Sequence, residues 1–365
     1  MALVGALVAA LAAATPARAH VVYGIRTFSQ MTAEADAVVR ARVVGAERVL
    51  VLGDPPRRRT VVDVLVRESV KGELPCGPLT FVPHGHGVAR YAAGEDVVLF
   101  LRAIGRSREL AGTPLPAAVA WVSEQETADK LVLDRGARDP VLAAVRAYAA
   151  LAREPSETSR RERFRRLTLA HAGAGAPRVA TGAVADLVLA GPAVTIGPDE
   201  LPALLAAVDD AGVTIGARVA LLAELEHRGL VDAAPRWQAL LRRTAGTPDG
   251  LAVIHAAGAH PSPPVTRALL EVLAGADLER AAAAAVALGS PGNDVAVEPL
   301  AEALASPSPR LRMAAIRGLG RIATPAAERK LELAAEFHPD PPTRRRARAE
   351  RIVLAGLRAR AVPLP

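Results

Sequence analysis

The spacing of apolar positions changes once along the chain, near residue 139. Before that point the period is two. Val39, Ala41 and Val43 alternate with Arg40 and Arg42, and Val62, Val64 and Val66 alternate with Asp63, Leu65 and Arg67. Such alternation gives a strand one buried and one solvated face. Further strands are predicted at Arg48 to Leu52, Leu79 to Val82 and Val97 to Leu101, with shorter ones at Ala118 to Val122 and Leu131 to Leu133. Gly53-Asp54-Pro55-Pro56 and Lys71-Gly72-Glu73-Leu74-Pro75 are turns between them, and a short helix over Thr27 to Ala35 comes first. Short antiparallel strands in this number suit a small barrel, which closes its own edges.

From Asp139 onward apolar residues recur at helical spacing. Helices are predicted at Val141 to Arg153, Glu157 to His171, Val179 to Ala190, Glu200 to Val208, Ile215 to His227, Ala233 to Thr244, Gly250 to Ala259, Val265 to Ala274 and Glu279 to Leu288. Glycine and proline clusters such as Pro261-Ser262-Pro263-Pro264 separate them. The clearest pair lies between Asp294 and Gly320. Val297 to Ala305 carries Leu300 and Leu304, and Ser306-Pro307-Ser308-Pro309 stops it. The second helix carries Leu311, Ala315, Leu319 and Ile322 on one stripe, with Arg310, Arg317 and Arg321 elsewhere. Pro325 to Phe337 and Arg344 to Leu357 follow. Leu288-Gly289 and Leu319-Gly320 end equivalent helices, and Leu300 and Leu331 sit on equivalent first helices, a repeat of about 31 residues. One such pair cannot bury its apolar stripe alone and needs a similar pair beside it.

The segments EADAVVRARV, VVDVLVRESVKGELP and YAAGEDVVLFL resemble the netrin/tissue-inhibitor-of-metalloprotease-like (TIMP-like) OB barrel over about residues 20–135. Versions of that barrel occur in exported bacterial proteins. Members that inhibit metalloproteases begin the mature chain with a disulfide-bonded cysteine that ligates the protease zinc. Here that end carries His20 instead. The block AVALGSPGNDVAVEPLAEALASPSPRLRMAAIRGLG resembles the short HEAT-like repeat of bacterial scaffold and lyase-related proteins. Its A-x-x-A-L-G end and the D/S-P-x-x-R opening of the second helix carry the resemblance over 280–357, which fades to helical pairing over 140–275. It implies an α-solenoid that presents a long surface to a protein partner. Some HEAT-like relatives act as lyases on bilin chromophores, and the resemblance extends to that activity by analogy only.

Composition narrows the reading. Hydrophobic residues make up 51% of the chain and aromatic residues 3%, so the core is Ala, Leu and Val. With 45 basic and 38 acidic residues the net charge is +7. The arginines are diluted by carboxylates and not interleaved with aromatics, which argues against a nucleic-acid partner. Cys76 is the only cysteine, which excludes an intramolecular disulfide and a cysteine-based zinc site. The opening MALVGALVAALAAATPARAH is apolar and ends in Ala17-Arg18-Ala19, an A-x-A cleavage pattern. A signal peptide over 1–19, a mature chain starting at His20, and a periplasmic or secreted location without stable membrane insertion are therefore expected. The expected domains are an OB-like β-barrel over 20–136 and a HEAT-like α-solenoid over 137–365.

Three groups of side chains are candidates for function. His84 and His86 flank Gly85 in a loop, and with His20 they form the candidate copper or zinc set. Arg160, Arg161, Arg163, Arg165 and Arg166 form a basic run that can attract an acidic protein partner, and Arg344, Arg345, Arg346, Arg348 and Arg351 form another. Cys76 sits in a turn with no motif that would activate a thiol. His171, His227, His255, His260 and His338 lie near helix ends, where the helix dipole alone explains them. The chain has no G-x-S-x-G elbow, P-loop, dinucleotide fingerprint or zincin helix. On this basis a binding protein without cofactor and without enzymatic activity is expected, with metal binding or metalloprotease inhibition through the barrel as the alternative.

Overall fold

The computed structural model describes residues 27–45, 47–52, 57–83, 90–106, 119–123, 131–173 and 176–361. The chain divides into two compact units, Met1–Val213 and Thr214–Pro365.

In the first unit, helix α1 (Phe28–Glu34) precedes seven strands: β1 (Ala37–Val43), β2 (Arg48–Leu52), β3 (Arg57–Lys71), β4 (Gly77–Val82), β5 (Asp96–Ala103), β6 (Trp121–Ser123) and β7 (Leu131–Val132). The order β1–β3–β4–β6–β5 closes through a β1–β5 pairing, while β2 extends β3 and β7 adds to β5. The result is a small five-stranded barrel. Its pairings are antiparallel except β4–β6, which is parallel. The expected small, mainly antiparallel barrel is thus present, and its one parallel pair has a topological reason. A closed ring of five strands cannot alternate direction throughout, so one neighbouring pair must run the same way.

The alternating residues of β1 and β3 fill the barrel as the pattern requires. Ala37, Val39, Ala41, Val43, Val62, Val64 and Val66 meet Phe81, Val97, Leu99 and Leu101 inside it. The other face of the same strands is buried too. Val38, Val70, Val98 and Phe100 pack against Phe28 and Met31 of α1 and against Val141, Leu142, Val145 and Tyr148 of α2 (Pro140–Leu151). Burial on both faces explains why β5 reads as an unbroken apolar run. Charge fixes the same contact. Arg146 of α2 donates to both Glu68 carboxylate oxygens at 2.8 and 2.7 Å, and Arg153 donates to the Val70 carbonyl at 2.9 Å. The Lys71 ammonium donates to the Thr32 and Ala35 carbonyls at 2.6 and 2.7 Å, where α1 ends with its carbonyls unpaired. Helices α3 (Glu157–Ala172), α4 (Pro177–Ala190) and α5 (Leu201–Asp209) complete this unit.

The second unit is helical. It contains α6 (Ile215–His227), α7 (Ala234–Thr244), α8 (Gly250–Ala257), α9 (Pro263–Leu273), α10 (Leu278–Ala287), α11 (Val297–Ala303), α12 (Pro309–Ile322), α13 (Pro325–Phe337) and α14 (Pro341–Ala361). Hairpins α7/α8, α9/α10, α11/α12 and α13/α14 stack so that second helices follow one another as α8, α10, α12 and α14. This is a HEAT-like solenoid. Glycines set the spacing. A Cβ at Gly258 would lie 2.8 Å from Ala287, and one at Gly318 would overlap the Ala285 carbonyl oxygen. The repeat's arginine mark has a local cause. Arg312 donates to the Ser306 and Pro307 carbonyls at 2.8 and 3.0 Å, and Arg344 does the same to His338 and Pro339 at 2.6 and 3.2 Å. Each guanidinium thus satisfies the carbonyls of the turn between its two helices. Arg312 also reaches Thr343 and Asp340 of the next repeat at 3.0 Å each. Helix α14 begins three residues before its predicted start. Pro341 and Pro342 occupy its first turn, where the missing amide hydrogens have no intrahelical role.

Candidate functional site

The five arginines of the first basic run share α3, and each is held by a carboxylate. Glu157 pairs with Arg160 and, at 2.8 Å, with Arg161. Glu154 holds Arg163 at 2.8 Å, and Glu162 holds Arg165 and Arg166 at 3.1 and 3.4 Å. Arg165 also reaches Glu200 at 2.8 Å, which ties α3 to the approach to α5. The helix therefore presents a mixed-charge face, on which Arg161 and Arg166 are the most exposed arginines. In the second run Arg344 is the turn clamp described above, Arg348 donates to the Ala335 carbonyl at 3.1 Å, and Arg346 and Arg351 pair with Glu350 and Glu332 at 2.8 Å.

Beside the start of α3 lies a cavity of about 390 Å³ between α1, the end of α2 and α3. Leu151, Phe164, Ala33 and Tyr148 line it, with Arg160 and Arg161 among the same lining residues. Close to it is a buried polar cluster. The Ser29 hydroxyl donates to one oxygen of Asp186 on α4, and the Tyr148 and His171 rings meet edge to face at 5.5 Å. The second Asp186 oxygen, the Tyr148 and Thr168 hydroxyls and His171 Nδ1 are buried without a hydrogen-bond partner. Burial pushes the Asp186 carboxyl above its ordinary range, opposed by the Ser29 hydrogen bond, and pushes the His171 imidazole down. A carboxyl raised in the folded state contributes its full stability below an unfolded value of about 4, and that contribution is lost as pH rises through the folded value. Asp186→Asn removes the component. The melting temperature of the variant relative to wild type should therefore rise between pH ~4 and pH ~7, measured by scanning fluorimetry.

The largest of the cavities described here, about 620 Å³, lies within the solenoid. It lies where the first helices of two successive hairpins end at different levels. Helix α11 stops at Ala303, ahead of the Ser306–Pro309 turn, while α13 runs on to Phe337. On the last turns of α13, the side chains of Leu333 and Phe337 are 53% and 73% exposed. Ala301, Leu304 and Ala305 form the opposite wall, and Lys330, Arg312 and Asp340 stand at the margins. Lys330 is held by Glu298 at 2.8 Å. His338 closes one end, its Nδ1 accepting from the Asp340 amide at 3.1 Å and its Nε2 2.9 Å from the Leu304 carbonyl, which makes Nε2 the protonated nitrogen. Sequence reasoning missed this site. Its signal was the i, i+4 pair Leu333 and Phe337, which falls off the Ala327, Leu331 and Ala334 stripe that α13 buries.

His20, His84 and His86, the proposed metal set, lie outside the described residues, as does the 1–19 leader. Among the described residues, no group of three His, Cys, Asp or Glu side chains is placed to hold a metal ion, and no helix is long and apolar enough to cross a membrane. Cys76 is exposed and unpaired by disulfide. The candidate functional surface among these residues is therefore a groove with charged margins, in each unit, on helices.

Comparison with known proteins agrees with the repeat. A family profile for HEAT repeats matches residues 266–351. The structure of human deoxyhypusine hydroxylase in complex with glycerol is 20% identical, over 61% of this chain and 81% of that one, with a TM-score of 0.30. A designed armadillo repeat protein is 19% identical, over 56% of this chain and 97% of that one, with a TM-score of 0.29. No curated protein sequence matches the chain. The expectation of a chain without enzymatic activity is corrected by the first of these structures, since a similar structure belongs to an enzyme. Missing motifs do not class a helical-repeat chain as a non-enzyme. At that TM-score no activity is carried over either.

Proposed function

We propose that this protein is a protein-binding scaffold and that the groove between α11 and α13 receives an apolar side-chain cluster of its partner. One observation carries the reading. Within the HEAT-matched segment, Leu333 and Phe337 stand exposed side by side over an apolar cavity. Adjacent exposed large apolar side chains on a rigid scaffold mark interaction surfaces. The barrel acts as a second recognition module. The α3 arginines serve as a further contact for a partner whose carboxylates exchange with Glu157 and Glu162. The A-x-A leader pattern supports an exported setting for both.

The test compares wild type with a Leu333→Ser/Phe337→Ser double variant as immobilised full chains, exposed to envelope and secreted fractions of the source cells. Both positions are exposed, so the variant should fold, which circular dichroism verifies. The wild type should retain a partner whose capture falls at least about tenfold in the variant, since each apolar side chain contributes on the order of 1.5–3 kcal/mol when fully buried. Equal capture by both chains, or none by either, contradicts the reading.

A further inference from the structure

We propose that the cavity between α1, α2 and α3 binds a small amphiphilic carboxylate, an apolar chain with one anionic head. This inference does not depend on the α11–α13 groove, although it uses Arg160 and Arg161, two of the α3 arginines that the scaffold reading also engages. Three observations carry it. First, the cavity is apolar and of molecular size. Its walls are Ala33, Leu151, Phe164 and the Tyr148 ring, and about 390 Å³ is within the range that encloses single small molecules. Second, its charge is of one sign. Arg160 and Arg161 are lining residues, and Glu157 is their shared partner. Two guanidiniums against one carboxylate leave an excess positive charge, and a guanidinium has five N–H donors, of which one carboxylate uses only some. Glu157 holds both cations in place without saturating them. Third, Thr32 is among the lining residues, and its hydroxyl, on a residue 1% exposed, has no hydrogen-bond partner. Buried polar groups are rarely left unmet, and ligand sites are one place where they are.

The chemistry selects the ligand class. A carboxylate presents two oxygens that match the guanidinium fork, which a cationic or hydroxyl head cannot do. The apolar walls extract the chain from water in proportion to its length.

The test titrates the full chain with dodecanoate by calorimetry below its micellar concentration, with dodecyltrimethylammonium as the probe of equal chain and opposite charge. Dodecanoate should bind saturably and at least about tenfold tighter than the ammonium. Arg160→Ser/Arg161→Ser should bring the two probes to similar affinity. Ala33 and Ala152 are exposed wall residues, so Ala33→Trp and Ala152→Trp fill the cavity without touching the core. Each should abolish dodecanoate binding while leaving the melting temperature near wild type. Absence of saturable dodecanoate binding, equal affinity for the two probes in wild type, or unchanged binding in both tryptophan variants would overturn the proposal.

Discussion

Gly318→Val should unfold the C-terminal unit at temperatures where the wild-type chain is intact, with a loss of about 2–3 kcal/mol or more. A Cβ at 318 would overlap the Ala285 carbonyl oxygen and approach Leu300 Cδ1 to 3.0 Å. The first is backbone and cannot move aside without shifting α10, and valine adds two further methyls. Because each repeat contacts only its neighbours, separating α10 from α12 removes an interface that no other part of the stack replaces. Gly216 on α6 is the control, since nothing lies within 4 Å of a Cβ there. Gly216→Ala should gain a few tenths to about 1 kcal/mol from helix propensity alone. Urea unfolding followed by circular dichroism measures both.

The second large effect is expected at Trp237, the largest fully buried side chain among the described residues. Its indole Nε1 donates to Glu226 Oε2 at 3.0 Å, and the His260 ring stacks on it at 4.8 Å with 20° between planes. His260 Nδ1 meets the same Glu226 oxygen at 2.6 Å, so one carboxylate joins α6, α7 and the turn before α9. Trp237→Ala creates a cavity and strips Glu226 of a donor, which should cost about 3–5 kcal/mol in urea unfolding. Trp237→Phe restores much of the packing but not the donor, and should fall between the two. Burial holds the His260 imidazole below its ordinary range despite the opposing Glu226 charge. Stability at this cluster is accordingly full above about pH 6.5, the unfolded value, and lost as pH falls through the folded one.

Much of the fold was legible because breakers and periods agree. Ser308-Pro309 and Thr324-Pro325 each supply a cap and a first-turn proline, and the helices start there. What was not legible belongs to closure and to length. The parallel β4–β6 pair follows from ring parity, which no local pattern encodes. The second buried face of β1 and β5 is hidden because Val38, Val98 and Phe100 read as extra apolar residues until α1 and α2 cover them. Among the candidate contacts, Glu157 and Glu162 were visible beside the arginines, but Glu200 reaches Arg165 only through the fold. The α11–α13 groove depends on one helix ending early and its neighbour ending late, a comparison between elements that neither helix carries in its own sequence.

The scaffold reading is tested most directly by placing a photo-crosslinking side chain at position 337 in the cells that make the protein, and at exposed position 336 as the control. Phe337 lines the groove, whereas Glu336 is not among its lining residues. A discrete crosslinked protein should form at 337 and be absent at 336. No product at 337, or the same products at both positions, would contradict the scaffold reading.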